Sequence, residues 1–427
     1  MIDRNLFLYD LAVTAIFKNE APYLKEWLDY HLLAGVDHFY LYNNDSTDNY
    51  AEVLAPYVEK NLVTLIDFPG KAMQYSAFED AIDKYRFECR YMAFIDLDEF
   101  IYPKVDEGTI TDLVDQFFFT EEIFFHTPKA AGVSINWQCF GSSGETKADY
   151  SRGVLERFTH RAQSDWDLDG KSGNVFKKTI DNPRLIRYRI SPYFSCYFEG
   201  KSAVLSNDAY IGTWYGNKPI LSDQIVINHY FTKSKEEFWL KQRKGRADGN
   251  AKNLSEEDFQ SYDRNEVFDD GILTYRAARA KNFSLESNDE RINRAGNALV
   301  QTLMKTSTKD SLTGKLETFL TCRALAEKFQ IKIGDRFAEE YALAWIYRAL
   351  LIANPLTVAE IQQFLKALPE ILTRPFPVCK ELKTLAQDNV IPRFCEAMKA
   401  GNVNTVPEDW KMCVDMLHLQ KLLRLIK

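Results

Sequence analysis

Apolar and polar positions alternate in two patterns along the first hundred residues. Apolar runs typical of buried strands centre near Val13, Tyr40, Leu65 and Phe94, which are 27, 25 and 29 residues apart. The pattern predicts strands at 11–17, 38–42, 63–68 and 92–101, and helices at 22–35, 48–58 and 74–88. Strands and helices that alternate at this interval are typical of βαβ units. The sequence therefore predicts an α/β fold with a parallel sheet.

The pattern changes twice further along the chain. Residues 110–245 contain short strand candidates at 123–127, 132–140 and 224–231, separated by turns rich in Gly, Ser and Asp. From residue 286 onward, Leu, Ala, Lys and Glu recur at helical spacing. We therefore predict an α/β domain over residues 1–285 and a helical C-terminal domain over residues 286–427. Ligands of parallel sheets bind at the carboxyl ends of the strands, so motifs at those ends are the first candidates for a site.

Composition narrows the class of protein. The chain has 427 residues, of which 46% are hydrophobic and 27% charged, with a net charge of −8. These values are typical of a globular protein, and the acidic balance disfavours a nucleic-acid partner. No apolar run is long enough for a transmembrane helix, and the polar N-terminus is unlike a secretory signal. Because the seven cysteines are scattered and never spaced CxxC, we expect a reduced, cytoplasmic protein without zinc.

A DXD motif lies at the end of the fourth predicted strand. Asp96 and Asp98 follow an otherwise apolar run, and strand alternation would direct both side chains to one face. Like charges placed together in a partly buried site are costly unless a cation neutralises them. Hard oxygen ligands favour Mg²⁺, Mn²⁺ or Ca²⁺, and such a cation can bridge a diphosphate. The alternative is an acidic strand end that pairs with Lys or Arg.

Two further polar runs follow the first two strands. Asn43, Asn44 and Asp45 begin a run that ends at Asp48. These side chains could bind the edge of a flat base, or they could cap the next helix. The run Phe17-Lys18-Asn19-Glu20 lies where a parallel α/β sheet would hold a nucleotide. The chain has no GxGxxG and no GxxxxGK[ST] sequence, which disfavours dinucleotide-dependent redox enzymes and P-loop NTPases.

Taken in order, these motifs resemble those of the GT-A glycosyltransferases, and more specifically glycosyltransferase family 92. The similar segments are NE at 19–20, EWLDYH at 26–31, NNDSTD at 43–48, Gln74, IDLDEF at 95–100, FGSSG at 140–144, LERF at 155–158 and NHYFTKS at 228–234. The resemblance covers about residues 9–275 and leaves the helical tail outside. It implies a GT-A fold, in which helices flank a mixed sheet.

The resemblance also implies an activity and a set of site residues. It implies an inverting transferase that uses a UDP-sugar, such as UDP-galactose, with Mn²⁺ or Mg²⁺. Asp98 would bind the metal, Asp96 would bind the metal or the ribose, and His229 would complete the metal site. His229 could instead be part of a polar strand end. The residues expected at the nucleotide-sugar are Phe17, Asn19, Glu20, Asn43, Asn44, Asp45, Gln74, Asp96 and Lys171.

The reaction needs further groups, which the sequence supplies as candidates. Lys171 or Lys177 could stabilise the leaving diphosphate. An inverting transfer needs a general base, for which Glu145 is the first candidate and Asp165 and Asp167 are the next. Trp137 and Trp166 could stack on a sugar or belong to the core.

The C-terminal tail suggests a partner. Residues 411–427 predict a basic amphipathic helix, which could lie on the inner face of a membrane or pack against the protein. Membrane contact would suit a lipid-linked glycan acceptor in cell-surface polysaccharide synthesis. Two alternatives to the transferase stay open. They are a nucleotidyl- or phosphotransferase with the same carboxylates, and a catalytically silent glycan-binding module.

Overall fold

The computed structural model describes residues 4–119, 130–168, 172–197, 202–205, 219–244 and 254–304. Its first part alternates strands and helices as the apolar pattern predicts. These elements are β1 (Tyr9–Phe17), α1 (Ala21–Leu33), β2 (His38–Asn43), α2 (Tyr50–Glu59), β3 (Val63–Asp67), α3 (Gln74–Tyr85) and β4 (Cys89–Phe94). The predicted βαβ alternation is confirmed.

Shorter elements make up the rest of the described chain. They are β5 (Glu99–Pro103), α4 (Ile110–Phe119), β6 (Ala130–Cys139), α5 (Val154–Arg157), β7 (His160–Arg161), β8 (Asp167–Leu168), β9 (Ser172–Gly173), β10 (Lys177–Asp181), β11 (Ile186–Ser191), β12 (Phe194–Tyr197), β13 (Ser202–Leu205), β14 (Ile225–His229), α6 (Lys235–Lys244), α7 (Glu256–Tyr262), β15 (Val267–Phe268), α8 (Gly271–Ala280) and α9 (Asn288–Met304). The strands predicted at 132–140 and 224–231 correspond to β6 and β14.

One mixed sheet organises these elements. Its strand order among the described residues is β3-β2-β1-β4-β10-β6-β14-β5, with β13 also paired to β6. β1 runs parallel to β2 and β4, and β2 runs parallel to β3. β10 is antiparallel to β4 and β6, while β14 is parallel to β6 and antiparallel to β5. The predicted class, an α/β fold with a mixed sheet flanked by helices, is confirmed.

The centre of the sheet is buried on both faces. In β1 every residue except Asp10 is buried, as expected for a strand covered on both sides. α1 packs against the start of β5, where the Trp27 Nε1–H donates to the carbonyl of Glu99 at 2.8 Å. The Tyr30 hydroxyl donates to the carbonyl of Ile101, also at 2.8 Å. These bonds fix the segment that follows the DXD motif.

The predicted fourth strand, 92–101, is wrong in its extent. The chain leaves the sheet after Phe94 and enters β5 at Glu99, so the DXD motif lies in the turn between two strands. The turn is closed by two bonds: the Glu99 N–H donates to the Asp96 carbonyl at 3.1 Å, and the Asp96 N–H donates to Glu99 Oε2 at 2.8 Å. Strand alternation therefore does not determine where Asp96 and Asp98 point.

Residues 7–295 form one compact unit that contains the whole described sheet. Residues 1–6 and 296–427 form a second unit, of which the structure describes 4–6 and 296–304. The strand predicted at 123–127 and the tail helix at 411–427 lie outside the described residues. The domain boundary at 285/286 stays a prediction. Within the described ranges, no helix combines the length and the apolar character that crossing a membrane requires.

Candidate active site

Asp96 is held from two sides at the carboxyl end of β4. The Gln74 amide donates to its Oδ1 at 2.8 Å, and the Lys178 ammonium donates to its Oδ2 at 2.9 Å. The side chain is still 35% exposed. Since each carboxylate oxygen can accept more than one hydrogen bond, Asp96 is oriented by the protein and can still accept from a ligand.

Lys178 is a buried cation that the sheet places beside Asp96. β10 runs antiparallel to β4 with Ile180 opposite Ala93, so Lys178 lies just past the end of β4. Burial alone would lower the pKa of Lys178, but the carboxyl groups of Asp96 and Glu99 reverse this and raise it. Lys178 therefore carries a fixed positive charge under the turn.

Glu99 lies on the buried side of the same turn. Its side chain is fully buried, with Oε2 3.5 Å from the Lys178 ammonium. Burial raises the pKa of Glu99 to about 8, although Lys178 opposes this shift. Its Oε1 has no hydrogen-bond partner among the described residues. Glu99 thus supports the turn from below and, unlike Asp96, is closed to solvent.

Asp98 faces a different set of groups. Its Oδ2 contacts the Lys241 ammonium of α6 and lies 3.6 Å from Nε2 of His229. Burial would raise the pKa of Asp98, but Lys241 and His229 outweigh it and hold the pKa well below its usual range. Asp98 is therefore a buried, permanently charged carboxylate.

His229 ends β14 directly beside Asp98. Burial lowers the pKa of His229, although Asp98 opposes this, so the imidazole is neutral at neutral pH and able to bind a metal. Its Nδ1 is buried without a hydrogen-bond partner in the described part of the chain. The Trp137 ring packs against the His229 ring, with 4.1 Å between the ring centres. Trp137 is thus a buried wall of the site, which disfavours its predicted stacking on a sugar.

The donor set fits a divalent cation at Asp98 and His229. Mn²⁺ binds both carboxylate and neutral imidazole ligands, and Mg²⁺ binds the carboxylate. In the described residues no group of three or more His, Cys, Asp or Glu side chains is arranged to hold a metal. Two protein ligands would leave positions for phosphate oxygens and water. The predicted set of Asp96, Asp98 and His229 stays a prediction, and within it Asp98 Oδ2 lies 3.6 Å from His229 Nε2.

Lysines of α6 and the preceding turn line this edge. Lys241 pairs with Asp98, and Lys244 pairs with Glu20. Lys233 lies 4.2 Å from the centre of the Tyr23 ring, and burial lowers its pKa. These three residues, hereafter the α6 lysine group, were missed by the sequence analysis because nothing local separates them from surface lysines.

Of the two lysines predicted for the diphosphate, Lys177 is the one that the structure describes. Lys171 is outside the described residues. Lys177 donates to the carbonyl of Val175 at 3.1 Å, and burial lowers the pKa of Lys177 to about 8. Because successive residues of a strand face opposite sides, its neighbour Lys178 is the one that reaches Asp96.

The polar run after β2 connects loops instead of capping α2. The N-cap of α2, Asn49, makes no side-chain capping bond. Asp48 Oδ2 instead accepts from the Ala21 N–H at 2.7 Å, at the start of α1. Asn19 Oδ1 accepts from the Thr47 N–H at 2.7 Å. The run therefore fastens the loop after β2 to the loop after β1.

Both asparagine amides of this run are committed to the protein. Asn43 Nδ2 donates to Asp67 Oδ1 and to the Tyr50 hydroxyl, each at 2.9 Å. Asn44 Nδ2 donates to the carbonyls of Phe68 and Gly70 at 3.0 and 2.9 Å. These bonds shape the edge of the sheet and leave neither amide free to donate to a base.

The loops after β1, β2 and β3 form a rim, at which the predicted residues Phe17, Asn19 and Asp45 lie. Phe17 is buried, with its ring edge-on to Tyr50 at 5.4 Å. Asp45 is exposed and accepts from the Gly70 N–H at 3.1 Å. Asn19 and Asp45 both have positive φ angles, 52° and 57°, a backbone conformation that costs energy for residues other than glycine and is frequent at functional sites.

Glu145 is held in an ion-pair network. Its two oxygens accept from Arg152 at 2.7 Å and from Arg157 at 2.8 Å. Arg157 also pairs with the buried Glu237 at 2.7 Å. Two guanidinium groups stabilise the Glu145 carboxylate and occupy the oxygens that a general base would use, which disfavours the predicted catalytic role.

The other two base candidates lie in the segment after β7. Asp165 is exposed, and Asp167 is half-buried in the β8–β9 hairpin. Trp166 between them is partly buried and packs against the core, with the Arg264 guanidinium 5.6 Å from its ring. Of the three predicted carboxylates, Asp165 is the one whose side chain is open to solvent.

Comparisons with known proteins identify the family to which the chain belongs. The model of glycosyltransferase family 92 matches residues 12–266, more than half of the chain. A family 92 protein of Ricinus communis is 30% identical over 159 residues, which are 36% of this chain and 27% of the relative. A galactan β-1,4-galactosyltransferase of Arabidopsis thaliana is 24% identical over 169 residues, which are 37% of this chain and 31% of the relative.

Among solved structures, one of S. aureus TarS in complex with UDP is similar over 92% of both chains, at 11% identity and a TM-score of 0.30. The alignments with the curated relatives span less than a third of the length of each. The match of the family model includes the DXD turn, the loops after β1 and β2, and His229. On this match, the chain belongs to glycosyltransferase family 92.

Proposed function

We propose that this chain is a metal-dependent, inverting glycosyltransferase. It transfers galactose from UDP-galactose to a hydroxyl of a glycan or lipid-linked glycan, in the synthesis of a cell-surface polysaccharide. The observation that carries the proposal is the buried Asp98 carboxylate beside His229 and the α6 lysine group, at the carboxyl edge of the parallel strands. Galactose is proposed because a relative is a galactan β-1,4-galactosyltransferase.

The two aspartates of the motif have separate tasks in this proposal. Asp98 and His229 would hold Mn²⁺ or Mg²⁺, and the ion would supply positive charge to stabilise the diphosphate leaving group. Asp96, fixed by Gln74 and Lys178, accepts a hydrogen bond from a ribose hydroxyl. Its partial exposure supports this role.

The uridine lies on the rim formed by the loops after β1, β2 and β3. Asp45 is an exposed polar residue there, and its carboxylate accepts from the Gly70 N–H. Asn19, Asn43 and Asn44 contribute by fixing the loops, since their side chains bond to neighbouring protein groups. Recognition of the base therefore rests on the shape of the rim and on backbone groups.

The acceptor hydroxyl needs a general base on the side of the donor sugar opposite the leaving diphosphate. Asp165 is proposed for this role because it is exposed, whereas Glu145 is held by two arginines. A base must come within hydrogen-bond reach of the hydroxyl that it activates. Asp165→Asn should therefore slow transfer without weakening UDP binding.

A donor screen tests the proposal. The protein is incubated with Mn²⁺, a panel of UDP-sugars and β-1,4-galactan oligosaccharides, and the released nucleotide is identified by chromatography. The proposal expects UDP from UDP-galactose and an acceptor one hexose longer. Release of UMP or pyrophosphate would instead support the nucleotidyl- or phosphotransferase. Binding of UDP without cleavage of any UDP-sugar would support the silent module.

A further inference from the structure

Lys241 occupies the position beside Asp98 that a metal ion would need. Its ammonium contacts Asp98 Oδ2, the same oxygen that lies 3.6 Å from His229 Nε2. The ammonium also lies 4.4 Å from the centre of the Phe231 ring, so it is held by a carboxylate and an aromatic face together. A cation at Asp98 and His229 and the Lys241 ammonium cannot both contact this oxygen without strong repulsion.

Among the described residues, the ion pair of Lys241 is with Asp98 alone. Glu20, which also acts on Lys233, pairs with Lys244. Lys233, Lys241 and Lys244 are thus three ammonium groups set against Asp98 and Glu20. When a divalent cation enters, the local charge becomes strongly positive, and a ligand with several negative charges is the natural partner.

Lys241 is also freer to move than Lys178. Its side chain is 27% exposed and lies on the α6 surface, whereas the Lys178 side chain is 1% exposed and lies between Asp96 and Glu99. A long flexible side chain on a helix can take a new rotamer at small cost. A lysine enclosed between two carboxyl groups has no such freedom.

We propose that Lys241 is an internal counter-ion that competes with the divalent cation for Asp98 and is released to the nucleotide's phosphates when the cation binds. This inference rests on the proposed function, because it concerns the same metal and nucleotide site. Its consequence is coupling: the metal alone binds weakly because it must displace Lys241, and a nucleoside diphosphate strengthens metal binding because it gives the displaced ammonium a new partner. By linkage, the metal strengthens nucleotide binding by the same factor.

The test is the affinity for Mn²⁺ alone, measured by electron paramagnetic resonance of the free ion, for the full chain and for Lys241→Met. Removing the competitor should make Mn²⁺ bind about tenfold more tightly without nucleotide and should reduce the gain that UDP gives. Lys241→Arg keeps a cation at the end of a similar chain and should bind Mn²⁺ as weakly as the wild-type protein. Lys235→Met is the matched control, because Lys235 is also a residue of α6 but pairs with the exposed Glu256.

The outcomes separate this inference from the proposed function. Wild-type protein that binds Mn²⁺ with UDP, together with unchanged or weaker Mn²⁺ binding by Lys241→Met, would overturn the role of Lys241 and leave the metal site standing. Wild-type protein that binds no Mn²⁺ even with UDP would overturn the metal site and the inference together. A tenfold gain that Lys235→Met also gives would reflect net charge alone and would count against the inference.

Discussion

The ammonium of Lys178 lies 2.9 Å from Oδ2 of Asp96, although the two residues are 82 positions apart. The antiparallel pairing of β10 with β4 produces this contact. The first aspartate of the motif therefore has a permanent protein cation, while Asp98 contacts a lysine that can move and lies beside a neutral histidine. The two carboxylates differ in their partners, and we expect them to differ in function.

Replacing Lys178 by Met should destabilise the fold. The change removes the cation that Asp96 and the buried Glu99 share. Because Asp96 is 35% exposed and water can solvate it, we expect a cost between those of exposed and buried pairs, about 2 kcal/mol. The measurement is the free energy of unfolding in urea. Lys25→Met is the control, because Lys25 is 73% exposed in its pair with Asp29, and such surface pairs contribute at most about 0.5 kcal/mol. Equal effects of the two variants would contradict the burial argument.

Asp98→Asn should abolish turnover and the effect of Mn²⁺ on UDP binding. The amide lacks the charge that holds a divalent cation, so we expect a loss of at least about 100-fold in kcat. Steady-state kinetics and calorimetry of UDP with and without Mn²⁺ measure the two effects. Asp83→Asn, an exposed position on α3, should behave as the wild-type protein. An active Asp98→Asn variant would remove the basis of the proposed function.

Glu145→Gln should keep most of its activity. Loss of a general base lowers the rate by about 100-fold or more, whereas a residue of an ion-pair network affects mainly stability. Arg157 keeps its partner Glu237 in the variant, so we expect kcat within about threefold of wild type, together with a lower melting temperature. A hundredfold loss of kcat in a variant that melts normally would restore Glu145 as the base.

The stability should depend on pH through Glu99. Burial raises the pKa of Glu99 from 4.5 to about 8, so between these values the native state holds a proton that the unfolded chain releases. The contribution of protonated Glu99 to the free energy of unfolding is fully present below pH 4.5 and is lost as the pH rises through about 8. Glu99→Gln removes this titration. The free energy of unfolding of Glu99→Gln should therefore rise relative to that of the wild-type protein as the pH rises. Parallel curves of the two free energies against pH would contradict the raised pKa of Glu99.

Local sequence pattern was sufficient for part of this picture. The four parallel strands follow from apolar runs at regular spacing, and the carboxylates were located because acidic residues at the end of an apolar strand are conspicuous. His229 was proposed through the family resemblance, and the structure places it beside Asp98. The roles of these residues stay predictions.

The remaining features depend on contacts that no local pattern contains. Lys178 differs from its neighbour Lys177 only by the face of β10 on which it lies, and that face is set by pairing with β4. Lys241 reaches Asp98 from 143 residues away. The break after Phe94 arises because β5 pairs with β14 instead of continuing β4. Apolar residues continue on both sides of the DXD motif, so the pattern predicted one strand.

The bonds that join successive loops have a consequence for donor selection. The bonds from Asp48 to Ala21, Asn19 to Thr47 and Asn44 to Gly70 connect the segments after β1, β2 and β3 through the protein's own groups. This rim is preorganised, so a donor loses little binding energy to the ordering of the protein. If donors are distinguished by induced closure, segments other than these loops must supply that closure. Chimaeras that exchange all three loops together between relatives should transfer the nucleotide preference, because the loops are bonded to one another.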